Sequence, residues 1–595
     1  MCGIAGLMNF DTPPDAARTL VERMGATIRH RGPDDAGAYA DEHVAIGLQR
    51  LSVIDLAGGH QPMSTDDGKL HIVFNGEIYN YREVRASLEA EGEHFRTASD
   101  TEVILHQYRR HGLGGFHALN GMFAVAIWDR AGQALHLVRD RMGVKPLYYY
   151  WDGRRLAFAS EIKALLAIPD VPHEVEPQAI WDYLTFRYVP SPRTIWKHIW
   201  KLPPAHHLTM TVTAAAPQVS RWWDIPSGAA DRLDDVELTG EFASLFTDAV
   251  RLRLIADVPV GITLSGGIDS SAVAAVAARH QRGINTFSVS FADSAATDER
   301  HYARQVADHL GTDHHEVVID ERAFLDFLPQ FVYFTDEPLA DLASVPLYYV
   351  SKLARESVTV ALSGEGADEI LAGYDFNRWL SSRTAAGASD VRTDPVPPHM
   401  TNYMTSDEKR ALFLAPATFS DSMDVVRGHL ARARARHPLD QMLFAYCQDW
   451  LVEDLLMKAD RMSMATSLEL RTPFLDYRLV EWAARAPLSA KVGTASNTTK
   501  QVLRAFAEQL LPRAIIDRPK QGFPVPVYQW LSGPLRPMSF DMLLAPSSRV
   551  LAWFRRDAIA ALVARGVADD AAAHDRHRLW HLLILEYWLR EWMPS

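Results

Sequence analysis

Cys2 follows Met1 and is one of two cysteines in the chain, Cys447 being the other. Cysteine is small enough to permit removal of Met1, and its own α-amine can then act as general base to its own thiol without a separate histidine. Further along, Val73-Phe74-Asn75-Gly76-Glu77 has two readings. Asn-Gly between apolar runs is a hairpin-turn signal. An Asn amide beside a glycine N–H is also a pair of donors for a developing oxyanion. Arg50 opens an expected strand over Arg50–Asp55 and places at its mouth a guanidinium, a group that grips carboxylates bidentately. Ser99-Asp100-Thr101-Glu102 caps the helix that follows. In the second half, Ser265-Gly266-Gly267-Ile268-Asp269-Ser270-Ser271 follows an apolar run and precedes an Ala/Val-rich stretch ending near His280. That pattern predicts a buried strand, a sharp turn and a helix N-terminus, where backbone N–H groups, serine hydroxyls and the helix's partial positive charge can receive an anion.

The second loop is not that of a P-loop NTPase, which needs Lys after its last Gly and then Ser or Thr; here Gly68-Lys69 is followed by Leu70. It resembles instead the pyrophosphate loop of the N-type ATP pyrophosphatases, which cleave ATP between the α and β phosphates to adenylate a substrate. A second turn, Ser363-Gly364-Glu365-Gly366-Ala367-Asp368-Glu369, ends the expected strand Val358–Leu362, where ligands lie in open α/β sheets. Acidic residues there would repel phosphates, and Mg2+ held by Asp269 and Asp368 resolves the conflict.

Cys2, Arg50, Asn75, Gly76, Glu77 and Asp100 together resemble the glutaminase domain of class II amidotransferases, which have an N-terminal nucleophile. The resemblance implies that Cys2 attacks the glutamine side-chain amide and that Asn75 and Gly76 stabilise the oxyanion. It implies that Arg50 pairs the glutamine α-carboxylate, that Glu77 and Asp100 receive the α-amine, and that Val53 joins the glutamine contacts. The run from Lys458-Ala459-Asp460-Arg461 to Asp476 is similar to the asparagine synthetase family. In that light Leu264, Ser265, Gly266, Gly267, Asp269, Ser270, Ser271, Val289, Ser363 and Gly364 contact ATP. Lys520, in Arg518-Pro519-Lys520-Gln521-Gly522-Phe523-Pro524, steadies the departing pyrophosphate, and Glu365 takes the proton as the amide forms. The substrates implied are glutamine, ATP and aspartate or another carboxylate, with ammonia carried between the sites through a dry passage.

The elements that must position these groups divide at about residues 205–232, where Pro and Ala interrupt the patterning. Residues 2–210 are expected to form an α+β N-terminal-nucleophile domain, an αββα sandwich; strands are expected at Met122–Trp128, Ala134–Val138 and Pro146–Tyr150. Residues 232–595 are expected to form an α/β parallel-sheet ATP-pyrophosphatase domain with extra helices. The segment Ala159–Leu165 is placed near the end of the first domain, facing the second.

Length alone allows about four domains, though two large ones fit as well. A hydrophobic content of 48% and charged content of 23% are those of an ordinary soluble globular protein. A net charge of −13 argues against nucleic acid, and no apolar run reaches membrane-spanning length. Two cysteines exclude a disulfide framework, and Cys447 reads as a core residue. A cytoplasmic location and a homodimer are expectations. Two rivals stay open: an amidotransferase of the same mechanism acting on a cell-surface or secondary-metabolite precursor, and a regulatory protein on a degenerate catalytic scaffold.

Overall fold

Strand β1 (Gly3–Met8) directly follows Cys2, and all six of its residues are buried. A strand with no solvent-facing side must lie inside a sheet that is covered on both faces. In the computed structural model β1 pairs antiparallel with β3 (Val44–Arg50) on one side and β9 (Leu156–Ala159) on the other. The structure describes the chain apart from residues 1, 228–233, 293–299, 376, 378–402, 416–417, 434–436, 494–497, 519–524 and 594–595.

The first sheet has the order β10 (Ile199–Lys201), β8 (Tyr148–Trp151), β9, β1, β3, β2 (Asp35–Ala40). The second has the order β12 (Gln218–Arg221), β11 (His206–Thr211), β7 (Ala134–Arg139), β6 (Gly121–Asp129), β5 (Leu70–Ile78), β4 (Met63–Ser64). The two sheets face each other across a core that includes Ile4, Ile46, Val73, Ala126, Trp128, Leu137 and Phe158. Helices Pro14–Thr27 and Ile162–Leu166 lie against the first sheet, and helix Asp100–His111 against the second. This is the expected αββα sandwich.

Three local expectations need correction. Asn75-Gly76 is not a hairpin turn. Both residues lie inside β5, paired with Ala124 and Phe123 of β6, because Gly76 at φ 156° lets β6 approach closer than any side chain would allow. A Cβ there would stand 2.0 Å from the Met122 carbonyl oxygen. Arg50 ends a strand instead of beginning one. The boundary at 210 falls within β11, and the sheet continues to Arg221: Thr213-Ala214-Ala215-Ala216-Pro217 is the loop of a β11–β12 hairpin, whose ladder hydrogen bonds add an edge strand. Ala159–Leu165 does meet the second half, but β10, β11 and β12 follow it in the same domain.

After helix Asp235–Arg253, opened by a capping box on Asp234 and Glu237, the pattern changes. Strands β15 (Asp313–Ile319), β14 (Asn285–Phe291), β13 (Val260–Thr263), β16 (Val360–Leu362) and β17 (Glu469–Arg471) lie in that order, all parallel. Helix Ala573–Trp592 docks through Leu579, Leu582, Leu583 and Trp588, which are buried. Among the described residues no helix is long and apolar enough to cross a membrane.

Candidate active sites

Because β1 and β5 face each other across the sandwich, the thiol at the start of β1 comes beside the middle of β5. Cys2 is buried, and its backbone nitrogen donates to Asn75 Oδ1 at 3.0 Å. The other half of that amide, Asn75 Nδ2, is buried with no hydrogen-bond partner among the described residues. A buried amide donor left open is costly unless a ligand uses it. Burial pushes the Cys2 thiol up, while the Leu51 N–H and the charge of Arg50 pull it down.

Arg50 is held by three backbone carbonyls of the loop that follows it: Ile54 at 3.1 Å, Asp55 at 2.8 Å and Leu56 at 3.1 Å. Oxygens on neutral groups fix the guanidinium without cancelling its charge. Opposite in sign are Glu77 and Asp100, both buried. Asp100 Oδ2 accepts the Ile78 N–H at 2.9 Å. Burial raises Glu77 well above the usual carboxylate range, and the charges of Glu469 and Asp100 push it further. Asp100 is pushed up to about 6, chiefly by burial and then by Glu469. Two desolvated acids side by side call for a cation. Val53 is also buried, but its carbonyl accepts the Asp257 N–H of the second half at 2.9 Å.

In the second half, β13 ends at the Ser265–Ser271 turn and helix Ile268–His280 begins with no side-chain cap. Gly266 at φ 70° makes the turn, and its α-carbon is so close to the helix Arg300–Leu310 that a Cβ would lie 2.6 Å from the Ala303 nitrogen. The end of β16 folds against this loop, and a Cβ on Gly364 would lie 2.8 Å from the Ser270 nitrogen. Between the loops is a cavity of about 390 Å³ lined by Leu264, Ser265, Gly267, Asp269, Ser270, Val289, Ser363, Gly364, Glu365 and Asp368, among others. Of the residues expected at ATP, Gly266 shapes the turn from behind and Ser271 is wholly buried; neither lines the cavity. Burial raises the Glu365 carboxyl, as do Asp341, Asp368 and Asp269, against the pull of Lys458. Lys520 lies outside the described residues.

Sequence reasoning missed Lys500 and the role of Arg471. Lys500 Nζ lies 2.6 Å from carboxylate oxygens of both Asp269 and Asp368. The two aspartates thus converge on one cation, as a pair that shares a divalent metal must. Nothing in Thr498-Thr499-Lys500 marks that position. Arg471 had a signal: Glu469 and Arg471 are charges two apart on one side of a strand, and both are fully buried. Arg471 Nη2 lies 3.5 Å from Glu77 Oε2, its Nε donates to Glu469 at 2.6 Å, and its carbonyl accepts the Ser363 N–H at 2.9 Å. One residue therefore touches both sites.

The seam between the halves is polar. Arg31, wholly buried, donates to both Asp460 oxygens at 2.7 and 3.0 Å, to Glu161 at 2.8 Å and to the Cys2 carbonyl at 3.1 Å. Arg461 lies 2.9 Å from Glu161, and Lys163 lies 2.8 Å from Asp336. Lys201 joins Glu337 and Glu453.

The asparagine synthase family model matches residues 241–590, and the glutamine amidotransferase domain model matches residues 1–223. Asparagine synthetase [glutamine-hydrolyzing] 1 of Bacillus subtilis is 34% identical, over 99% of this chain and 96% of its own. Asparagine synthetase [glutamine-hydrolyzing] 3 of the same organism is 34% identical over 88% and 87%. A putative asparagine synthetase [glutamine-hydrolyzing] of Mycobacterium tuberculosis is 34% identical over 98% and 97%. With both halves matched, and a relative similar from end to end, the chain belongs to the glutamine-hydrolysing asparagine synthetase family.

Proposed function

We propose that this protein converts aspartate to asparagine with glutamine as nitrogen donor, splitting ATP to AMP and pyrophosphate. The observation that carries the reading is the pairing of a buried thiol, beside an open amide donor, with a loop-lined cavity in the same chain.

In the first site Arg50 takes the glutamine α-carboxylate, and Glu77 with Asp100 takes the α-ammonium, so a zwitterion is bound by opposite charges at fixed separation. Once Met1 is removed, the Cys2 α-amine takes the thiol proton and Sγ attacks the side-chain amide. Asn75 Nδ2 and the Gly76 N–H receive the oxyanion. Ammonia leaves, and water releases glutamate from the thioester.

In the second site the Ser265–Ser270 loop and the uncapped helix receive the phosphates, with Val289 on the adenine side. The aspartate side-chain carboxylate attacks the α-phosphorus, pyrophosphate departs and an acyl adenylate remains. Ammonia attacks that carbonyl, Glu365 takes a proton, and AMP leaves. Asp269 and Asp368 would hold Mg2+, which when bound neutralises charge on the phosphates. Lys520 serves the leaving pyrophosphate. Ammonia is mostly protonated in neutral water, so a dry route between the sites keeps it nucleophilic.

Incubation of the purified protein with glutamine, aspartate and Mg-ATP should yield asparagine, AMP and pyrophosphate in equal amounts. AMP without asparagine would move the assignment to another acceptor. Cys2→Ala should abolish the glutamine-dependent reaction and leave synthesis from ammonium salt at the wild-type rate.

A further inference from the structure

The Lys500 ammonium occupies the point on which Asp269 and Asp368 converge. Nζ is 2.6 Å from both Asp269 oxygens and 2.6 Å from Asp368 Oδ1. The residue is only 3% exposed although it borders the cavity. Its backbone is also committed to this placement. Lys500 sits at φ 54°, a left-handed conformation uncommon for a residue with a side chain, at the start of helix Gln501–Ala507. Arg504 Nε holds the preceding Thr499 carbonyl at 2.9 Å. The neighbouring chain makes room: a Cβ on Gly373 would stand 2.1 Å from Lys500 Cε and 1.9 Å from Asp368 Oδ1. A glycine therefore lies where the lysine stem and the aspartate pass.

An ammonium and a divalent cation cannot both occupy the point between the two carboxylates, since both are positive and both need direct contact there. Two carboxylates aimed at one point also repel when nothing stands between them. We propose that Lys500 is the resident cation of the nucleotide-free site. Its ammonium keeps Asp269 and Asp368 at cation-sharing distance, and it yields that position to the divalent metal only when phosphate oxygens arrive to receive it. Metal entry is thereby tied to nucleotide entry. Lys500 is a positioning residue here, and the inference rests on the reading of Asp269 and Asp368 as the metal-holding pair.

Mn2+ is the probe, with binding to the full-length protein followed by the loss of the free-ion electron paramagnetic resonance signal. Without nucleotide, K500M should bind Mn2+ at least tenfold more tightly than wild type, whereas K500R, which keeps the charge, should stay as weak as wild type. With a non-hydrolysable ATP analogue present, the advantage of K500M should shrink, because the wild-type lysine has already left the carboxylates. Retained glutamine hydrolysis in the other half of the chain certifies that each variant is folded. If K500M is not recovered folded, K500Q takes its place in the same comparison.

Equal or weaker Mn2+ binding by the neutral variant overturns the proposal, as does tighter binding by K500R. Asp269→Asn and Asp368→Asn separate the two layers of the argument. If these lose Mn2+ in the analogue complex while K500M gains nothing without nucleotide, the metal pair stands and the handover falls. If they bind Mn2+ with the analogue as wild type does, the metal reading itself falls and takes the handover with it.

Discussion

Asn75 uses only half of its amide: Oδ1 accepts the Cys2 backbone N–H, and Nδ2 is buried with no hydrogen-bond partner among the described residues. Asn75→Ala should lower the rate of glutamine hydrolysis by a factor of about 10²–10³, or about 2.7–4 kcal/mol of barrier, as loss of one oxyanion donor does elsewhere. Ammonia-dependent synthesis should be unchanged in the same preparation. Asp100 gives a pH signature. Its carboxyl is pushed up to about 6 in the empty site, and a bound ammonium favours the ionised form. Below that pH, glutamine binding must first remove a proton. Glutamine affinity should therefore rise as pH climbs through about 6, and Asp100→Asn should lessen that rise; isothermal titration across pH 5–8 reads both. For stability of the empty protein the sign is the reverse. A carboxyl raised from 3.8 favours the folded state below 3.8, and that advantage is lost as pH climbs through about 6. Most of these candidates stand out in the sequence because few residue types can supply a thiol, an open amide or a paired carboxylate. Lys500 does not, since a lysine before a short helix carries no mark of the two aspartates that folding brings to it.

At the scale of elements, the sequence pattern placed the strands and turns of the nucleotide half well. Apolar runs ending in Ser-Gly-Gly and Ser-Gly-Glu have the pattern of strand ends, and β13 and β16 are neighbours that bring those ends together around one cavity. Asn75-Gly76 has two readings because Asn-Gly is a strong signal for a two-residue hairpin. In β5 the same glycine answers a different need, the close approach of β6. The boundary at 210 failed for a related reason: a hairpin loop of Ala and Pro has the composition of a linker, and only the ladder of β11 with β12 tells them apart. The 2.8 Å between a Cβ on Gly364 and the Ser270 nitrogen predicts that Gly364→Ala forces the two cavity-lining loops apart. The KM for ATP should rise at least tenfold, and steady-state glutamine hydrolysis should be retained.

Over the whole molecule, the parallel sheet and the sandwich are joined by charges that no local pattern announces. Arg31 has no local signal of its partner: Asp460 is 429 positions away. Arg31→Met should leave Asp460 buried without its bidentate partner, at a cost of about 3–5 kcal/mol. Calorimetry should show unfolding several degrees lower, and glutamine hydrolysis should fall as well, since Arg31 also holds the Cys2 carbonyl. The same seam governs how such a chain can be rearranged. Neither half can be exchanged for its counterpart from a distant relative unless Arg31, Glu161 and Lys163 meet their opposites at Asp460, Arg461 and Asp336. A graft that ignores this would bring together two well-formed pieces that refuse to seat. Chimeras of this protein must therefore be chosen by matching charge across the join, whatever the similarity within each piece.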